Sequence, residues 1–288
     1  MMRFIDPMRT AMKLSRVRGG AAIVLCVAAG MLLSSPASAQ SSLGEKWMFT
    51  ATIYGWVPKI DGTVNFPDDK GSTDIHASMS DILNHLRMTF QGTFDAHNGR
   101  WGLFTDIVYV DVGGIKSHTR DFSIGNIGIP ASTTTDLNLD IKAVVWTVAG
   151  EYRVMFDPAW TVDLLGGARM LQMKPTLGYS ITGDIGGIGL PVGRSGSKQV
   201  DETVWDGIVG VKGRYTFGDD RRWFAPFYAD VGTGQTQLTW QISGGIGYTF
   251  DWGSAFATWR YLDYKFQSGK ALQDITMNGP MLGVAFQW

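Results

Sequence analysis

The 288-residue chain carries 25 basic and 26 acidic residues, one cysteine, 37 glycines, and 11 Trp, 9 Tyr and 15 Phe. A net charge of −1 argues against nucleic acid as a partner, and one cysteine excludes both a disulfide framework and a cysteine-rich metal centre. So many glycines break up helical patterns, and the length suits one domain or at most two.

Residues 1–39 read as a cleaved secretory leader. Arg3, Arg9, Lys13, Arg16 and Arg18 face only Asp6, the apolar run AAIVLCVAAGMLL follows, and Ala37 and Ala39 flank Ser38 at a cleavage site. The run is shorter than the roughly 20 residues that a membrane-spanning helix needs. Cys26 is unsuited to lipid attachment, because Leu25 stands where a small residue is wanted. The leader holds five bases and one acid, so its removal takes the charge from −1 to −5 and leaves residues 40–288 without cysteine.

From there the pattern is that of strands. Ten are predicted, near 47–57, 87–97, 100–112, 136–154, 160–177, 203–217, 222–232, 238–250, 254–266 and 276–288. In the second, Met88, Phe90, Gly92, Phe94 and Ala96 alternate with Arg87, Thr89, Gln91, Thr93, Asp95 and His97. In the eighth, Leu238, Trp240, Ile242, Ile246, Tyr248 and Phe250 alternate with Thr239, Gln241, Ser243, Gly245 and Thr249. Period two means one apolar and one polar face per strand. The strands exceed the usual five or six residues and reach the length that crosses a bilayer at a tilt.

Connections supply the topology. Long links (58–86, 113–135, 178–202) alternate with short ones such as Asn98-Gly99 and Asp157-Pro158, as extracellular loops and periplasmic turns do. Aromatic residues gather at strand ends, where interfacial girdles lie. The predicted fold is an all-β, closed antiparallel transmembrane barrel of about ten strands, within bounds of eight to twelve. Its last strand, with Leu282, Val284 and Phe286 on one face before Trp288, pairs with the first so that no edge is left.

Placing polar faces inward puts Asp95, Asp106, Glu151, Asp163 and Asp206 in the lumen with Arg87, Arg153, Arg169, Lys212, Arg214 and Arg260. Such charges should pair with one another. A barrel of about eight strands is just filled by side chains, so ten strands imply a narrow or plugged passage. The cluster reads either as a filter or gate or as a static interior network.

No enzyme activity, cofactor or metal is expected. His76 with Ser78 and nearby Asn84 could serve a lipid esterase, and Asp74 with His76 an omptin-like protease, but both pairs fall in a linker with a small helix. Ser80 is the expected cap of that helix, with Ile82, Leu83 and Leu86 on its apolar side. His85, His97 and His118 show no zinc-ligand spacing. The links 113–135 and 178–202, rich in Gly, Ser and Thr, read as surface cover or an adhesive face, and GDIGGIG lacks the helix and Lys of a nucleotide loop.

The segments WMFTATIYGWVPKIDGTV, SMSDILNHL, NGRWGLFTDIVYVDV, WRYLDYKF and NGPMLGVAFQW resemble a family of small bacterial outer-membrane β-barrel proteins, in the company of porin-like and OmpA-like barrels. The resemblance covers nearly all of residues 40–288. It implies location and fold and no reaction. It also implies that the terminal strand, with Val284, Phe286 and Trp288, is the signal read by the barrel-assembly machinery. Outer-membrane lipid and lipopolysaccharide are the expected surroundings. The expected role is a passive narrow channel or a structural envelope barrel, with a surface hydrolase or a loop-mediated adhesin as alternatives.

Overall fold

A computed structural model describes residues 46–65, 72–117, 123–124, 127–128, 134–184 and 191–288. The leader, residues 1–39, and His118 lie outside the described residues.

Ten strands form the wall: β1 (Trp47–Trp56), β4 (Leu86–Asn98), β5 (Trp101–Ser117), β8 (Thr134–Phe156), β9 (Trp160–Asp184), β11 (Glu202–Phe217), β12 (Trp223–Gly234), β13 (Thr236–Thr249), β14 (Ser254–Phe266) and β15 (Leu272–Gln287). Each pairs antiparallel with the next, and β15 pairs with β1, Phe286 opposite Ala51 and Val284 opposite Ile53. The ring is closed. Trp288 completes the seam by exchanging both backbone hydrogen bonds with Phe49, at 2.9 and 3.0 Å.

Closure satisfies every ladder edge within the wall, which hydrocarbon demands because it offers no competing donor or acceptor. The turns at one end are tight. Gly99 and Gly218 adopt φ of +59° and +87°, a region costly for residues with a Cβ, and the Asp157 carboxylate accepts from the backbone N–H of Ala159 and Trp160 at 2.8 Å.

The other end is more ordered than the predicted loops. Link 58–86 holds a hairpin, β2 (Lys59–Asn65) and β3 (Ser72–Ala77), followed by the helix α1 (Met79–Asn84). Pro58 lacks the N–H a central strand needs, so β1 stops at Trp56, and β2 resumes pairing along β15. The cap of α1 is Ser78, not Ser80: its hydroxyl accepts from the Asp81 N–H at 3.2 Å, and the Asp81 carboxylate accepts from the Ser78 N–H at 3.0 Å. Only Ile82 of its apolar residues is buried. Link 178–202 is also largely strand, as β9 runs to Asp184 and pairs with β10 (Pro191–Gln199). In link 113–135 a two-residue pair, β6 (Ser123–Ile124) and β7 (Ile127–Gly128), stands off the wall.

Outside, the wall is apolar. Ile53, Leu103, Val209, Ile242 and Leu282 lie more than half exposed in a band that water would not tolerate at this extent. At the short-turn end an aromatic girdle follows: Trp47, Phe49, Phe94 and Trp288 stack at centroid distances of 6.0 to 6.4 Å, and Trp223, Tyr248, Phe250, Trp252 and Phe286 continue it at 4.8 to 5.7 Å.

The hydrophobic core sits inside the ring. Towards the long-loop end the lumen is filled by Trp56, Val145, Leu171, Met173, Val204, Leu262, Ile275 and Met277, which Ile60, Val64, Ala77 and Ile82 of the hairpin and helix join. A polar lumen was expected throughout; half of it is apolar.

Candidate functional site: the charged lumen

Polar side chains occupy the middle and the short-turn half of the lumen, where the inward faces of nine strands meet. Near the middle, Arg260 donates to Asp106 Oδ2 at 2.8 Å, to Tyr54 Oη at 3.1 Å and to Gln241 Oε1 at 2.8 Å, and its guanidinium lies 4.6 Å from the Trp56 ring centroid. Tyr54 in turn donates to Asp106. Beside them Arg169 binds Asp230 through two guanidinium nitrogens and donates to Thr147 Oγ1 at 3.1 Å. Neither Arg169 nor Asp230 has any exposed side-chain surface.

Closer to the turns lies a second group. Arg153 and Asp163 form a bidentate pair at 2.7 and 3.0 Å. Lys212 binds Asp95 and, at 2.7 Å, Glu151, and its ammonium sits 4.4 Å from the Phe104 ring centroid. His97 Nε2 is 2.8 Å from Glu151, 3.4 Å from Asp95 and 3.6 Å from Asp163. Its ring fits because Gly102 stands opposite it: a Cβ there would come within 2.5 Å of the imidazole. Asp206 stands apart, accepting from both the N–H and the hydroxyl of Thr236 at 2.8 Å.

Ten of the eleven charged residues expected in the lumen face it; eight of them stand in ion pairs, while Asp206 bonds Thr236 and Arg214 lies over the Phe224 ring. Arg87 is elsewhere. A register shift between Leu86 and Met88 turns its side chain away from the lumen to Asp140 at 3.3 Å and Asp111 at 3.9 Å, on the face opposite the buried Val110 and Val112. Sequence reasoning missed Asp230, Tyr54 and Gln241 as partners, and it read His97 as scattered. The alternation had already placed His97 on one face with Asp95, and that was the available signal.

Asp95, His97 and Glu151 offer three ligand atoms within 4.8 Å of one another, a geometry that a divalent cation accepts. Lys212 already contacts both carboxylates of that set, so the protein places a cation of its own there. On the far side of the molecule, His76 Nδ1 lies 2.5 Å from Asp61, which Lys59 also contacts at 2.9 Å. Desolvation raises the Asp61 pKa, but hydrogen bonds from Lys59 and His76 outweigh it and hold the carboxyl below its usual range. Ser78 is engaged by Asp81 and Ser80 instead of His76.

No protein-family profile and no curated protein matches the sequence. Among solved structures, the outer membrane protease OmpT from Escherichia coli aligns over 86% of this chain and 98% of its own, at 9% identity and a TM-score of 0.50. The Ail attachment invasion locus protein of Yersinia pestis aligns over 85% and 99% at 12% identity (TM-score 0.30), and the CymD monoaromatic hydrocarbon channel over 85% and 88% at 9% identity (0.33). The first of these shows the fold. A closed ten-stranded ring with an apolar outside, an aromatic girdle and paired charges inside is inverted relative to a water-facing protein. The chain is an integral outer-membrane β-barrel. Its short turns mark the periplasmic end and the β2–β3 hairpin the extracellular end.

Proposed function

We propose that this is a passive barrel with a structural role in the envelope, shut to ions in its resting conformation rather than standing open as a porin-like channel. The observation that carries the reading is the apolar fill of the extracellular half of the lumen, where Leu171, Met173, Leu262 and Ile275 are at most 1% exposed. An ion on that path would shed its water with nothing to replace it, and an apolar constriction excludes water by itself. The paired charges below it fit a static network better than a filter, because each buried base among them already holds a carboxylate. Outer-membrane lipid and lipopolysaccharide are its surroundings in this reading. Val284, Phe286 and Trp288, on the seam strand, act as the signal for the assembly machinery.

Planar-bilayer recordings of refolded residues 40–288, with folding checked by heat-modifiable gel mobility, test this. The wild-type barrel is expected to be silent, and the triple variant Leu171→Ala, Leu262→Ala, Met277→Ala to give discrete conductance steps. Reproducible wild-type steps would sink the reading.

A second reading attaches to His76, which with Asp61 forms an exposed imidazole–carboxylate pair at the extracellular end, able to activate a water as general base. Among the described residues no hydroxyl nucleophile contacts this His, which disfavours the esterase and leaves a water-using surface hydrolase such as a protease. Incubation of a fluorogenic peptide mixture with folded barrel should then give cleavage that His76→Ala abolishes; activity equal in the two proteins removes His76.

A further inference from the structure

The periplasmic half of the lumen is not fully packed. A cavity of about 300 Å³ lies there, walled by Phe104, Phe224, Phe256 and Met281 on its apolar sides and by Arg214 and Thr258 among its polar ones. That is the lower end of the range for small-molecule sites, and about half as much space suffices for a benzene ring.

Three groups in this cavity lack what their neighbours have, one of them the Tyr228 hydroxyl, which is buried without a hydrogen-bond partner among the described residues. Arg153, Arg169, Lys212 and Arg260 each hold a carboxylate. Among the described residues, Arg214 has none within ion-pairing distance: its guanidinium sits 5.2 Å from the Phe224 ring centroid and feels the like charge of Arg153. The third is Thr258, which is buried and whose hydroxyl has no hydrogen-bond partner among the described residues. A buried polar group without a partner signals either a cost or a missing ligand.

Among the described residues, access comes from one side. Arg214 shares the inward face of β11 with Asp206 and Lys212 yet is exposed, so solvent reaches it through the periplasmic mouth. The extracellular side is sealed by the apolar fill.

We propose that this cavity is a binding site for a small amphipathic carboxylate entering from the periplasm, its anionic end on Arg214 and its apolar body, a single ring or short chain, against Phe104, Phe224, Phe256 and Met281. The aromatic walls supply contact area, Arg214 the charge selection, and Thr258 a polar contact deeper in. A cation of the same shape is rejected because Arg214 is the base of the lining whose charge no carboxylate offsets, whereas Lys212 and Arg260 are paired with acids. A neutral amide loses the charge-assisted bond.

The test uses folded barrel, residues 40–288, in a non-ionic detergent, with methyl-labelled methionine. Titration with 3-phenylpropanoate should shift the Met281 methyl resonance saturably, and 3-phenylpropanamide should bind about tenfold or more weakly, the scale of one lost hydrogen bond to a charged group. Arg214→Gln should bring the carboxylate down to the affinity of the amide, and Ser243→Trp, which fills the cavity, should abolish the shift, both variants retaining heat-modifiable mobility. An unmoved Met281 signal, equal binding of acid and amide, or undiminished binding by Arg214→Gln overturns the proposal.

Discussion

Replacing Arg169 by Met is expected to destabilise the barrel by about 3–5 kcal/mol, because it strands the fully enclosed Asp230 carboxylate without its counter-charge. The size follows from burial. The two side chains are fully enclosed, so the charge left behind has no screening and no alternative partner within the pair's own geometry. Thr147, which takes the third guanidinium contact, is also left without its donor. The double variant Arg169→Met, Asp230→Leu removes both charges and should recover most of the loss, since replacing a buried pair by apolar groups of similar volume is often neutral or better. Denaturant unfolding in micelles, followed by tryptophan fluorescence and gel mobility, reads both. A single-variant loss below about 1 kcal/mol would mean that water from the periplasmic cavity reaches Asp230 once the guanidinium is gone.

The second large effect lies on the other face of the wall. Val209, 62% exposed on β11 between Gly166 of β9 and Val231 of β12, points outward near the centre of its strand. Val209→Arg in lipid vesicles should cost about 2–4 kcal/mol, the depth-dependent penalty of a guanidinium at the bilayer midplane. Ala225, also outward but beside the girdle residue Trp223, should tolerate the same change for about 0–1 kcal/mol, because the side chain reaches the interface. Equal penalties at the two positions would displace the hydrocarbon band from where the girdle sets it.

How far the sequence carried this picture depended on contrast between faces. β13 alternates large apolar with small polar residues along its length, so both its existence and its orientation could be read directly. β5 does not: Ile107 and Tyr109 outside face lipid while Val108, Val110 and Val112 inside are buried, and a strand apolar on both faces has no period to report. The apolar fill of the lumen was therefore invisible. β12 misled in a different way. Its inward set includes Phe224 and Tyr228 before Asp230, and aromatic residues elsewhere mark the lipid side, so the partner of Arg169 was not recognised. Arg87 failed because a bulge shifts parity by one residue, and nothing local in LRMTF announces it. Distances across the lumen, such as Arg260 to Tyr54 or Lys212 to Asp95, join residues more than a hundred positions apart and depend on strand order and stagger together.

The uneven filling of the lumen also gives the chain a direction of travel. A barrel inserted from the periplasm sends its extracellular end across the hydrocarbon first, and here that end carries Leu171, Met173, Leu262 and Met277 inside as well as an apolar face outside. The inward side chains that pass deepest are those that membrane interior receives most readily, while Lys212, Arg153, Asp163 and Glu151 trail near the surface they started from. Apolar inside at the leading end and charged at the trailing end, the strand set is graded so that its charged end need not cross the hydrocarbon, and the same gradient opposes overshooting towards the outside.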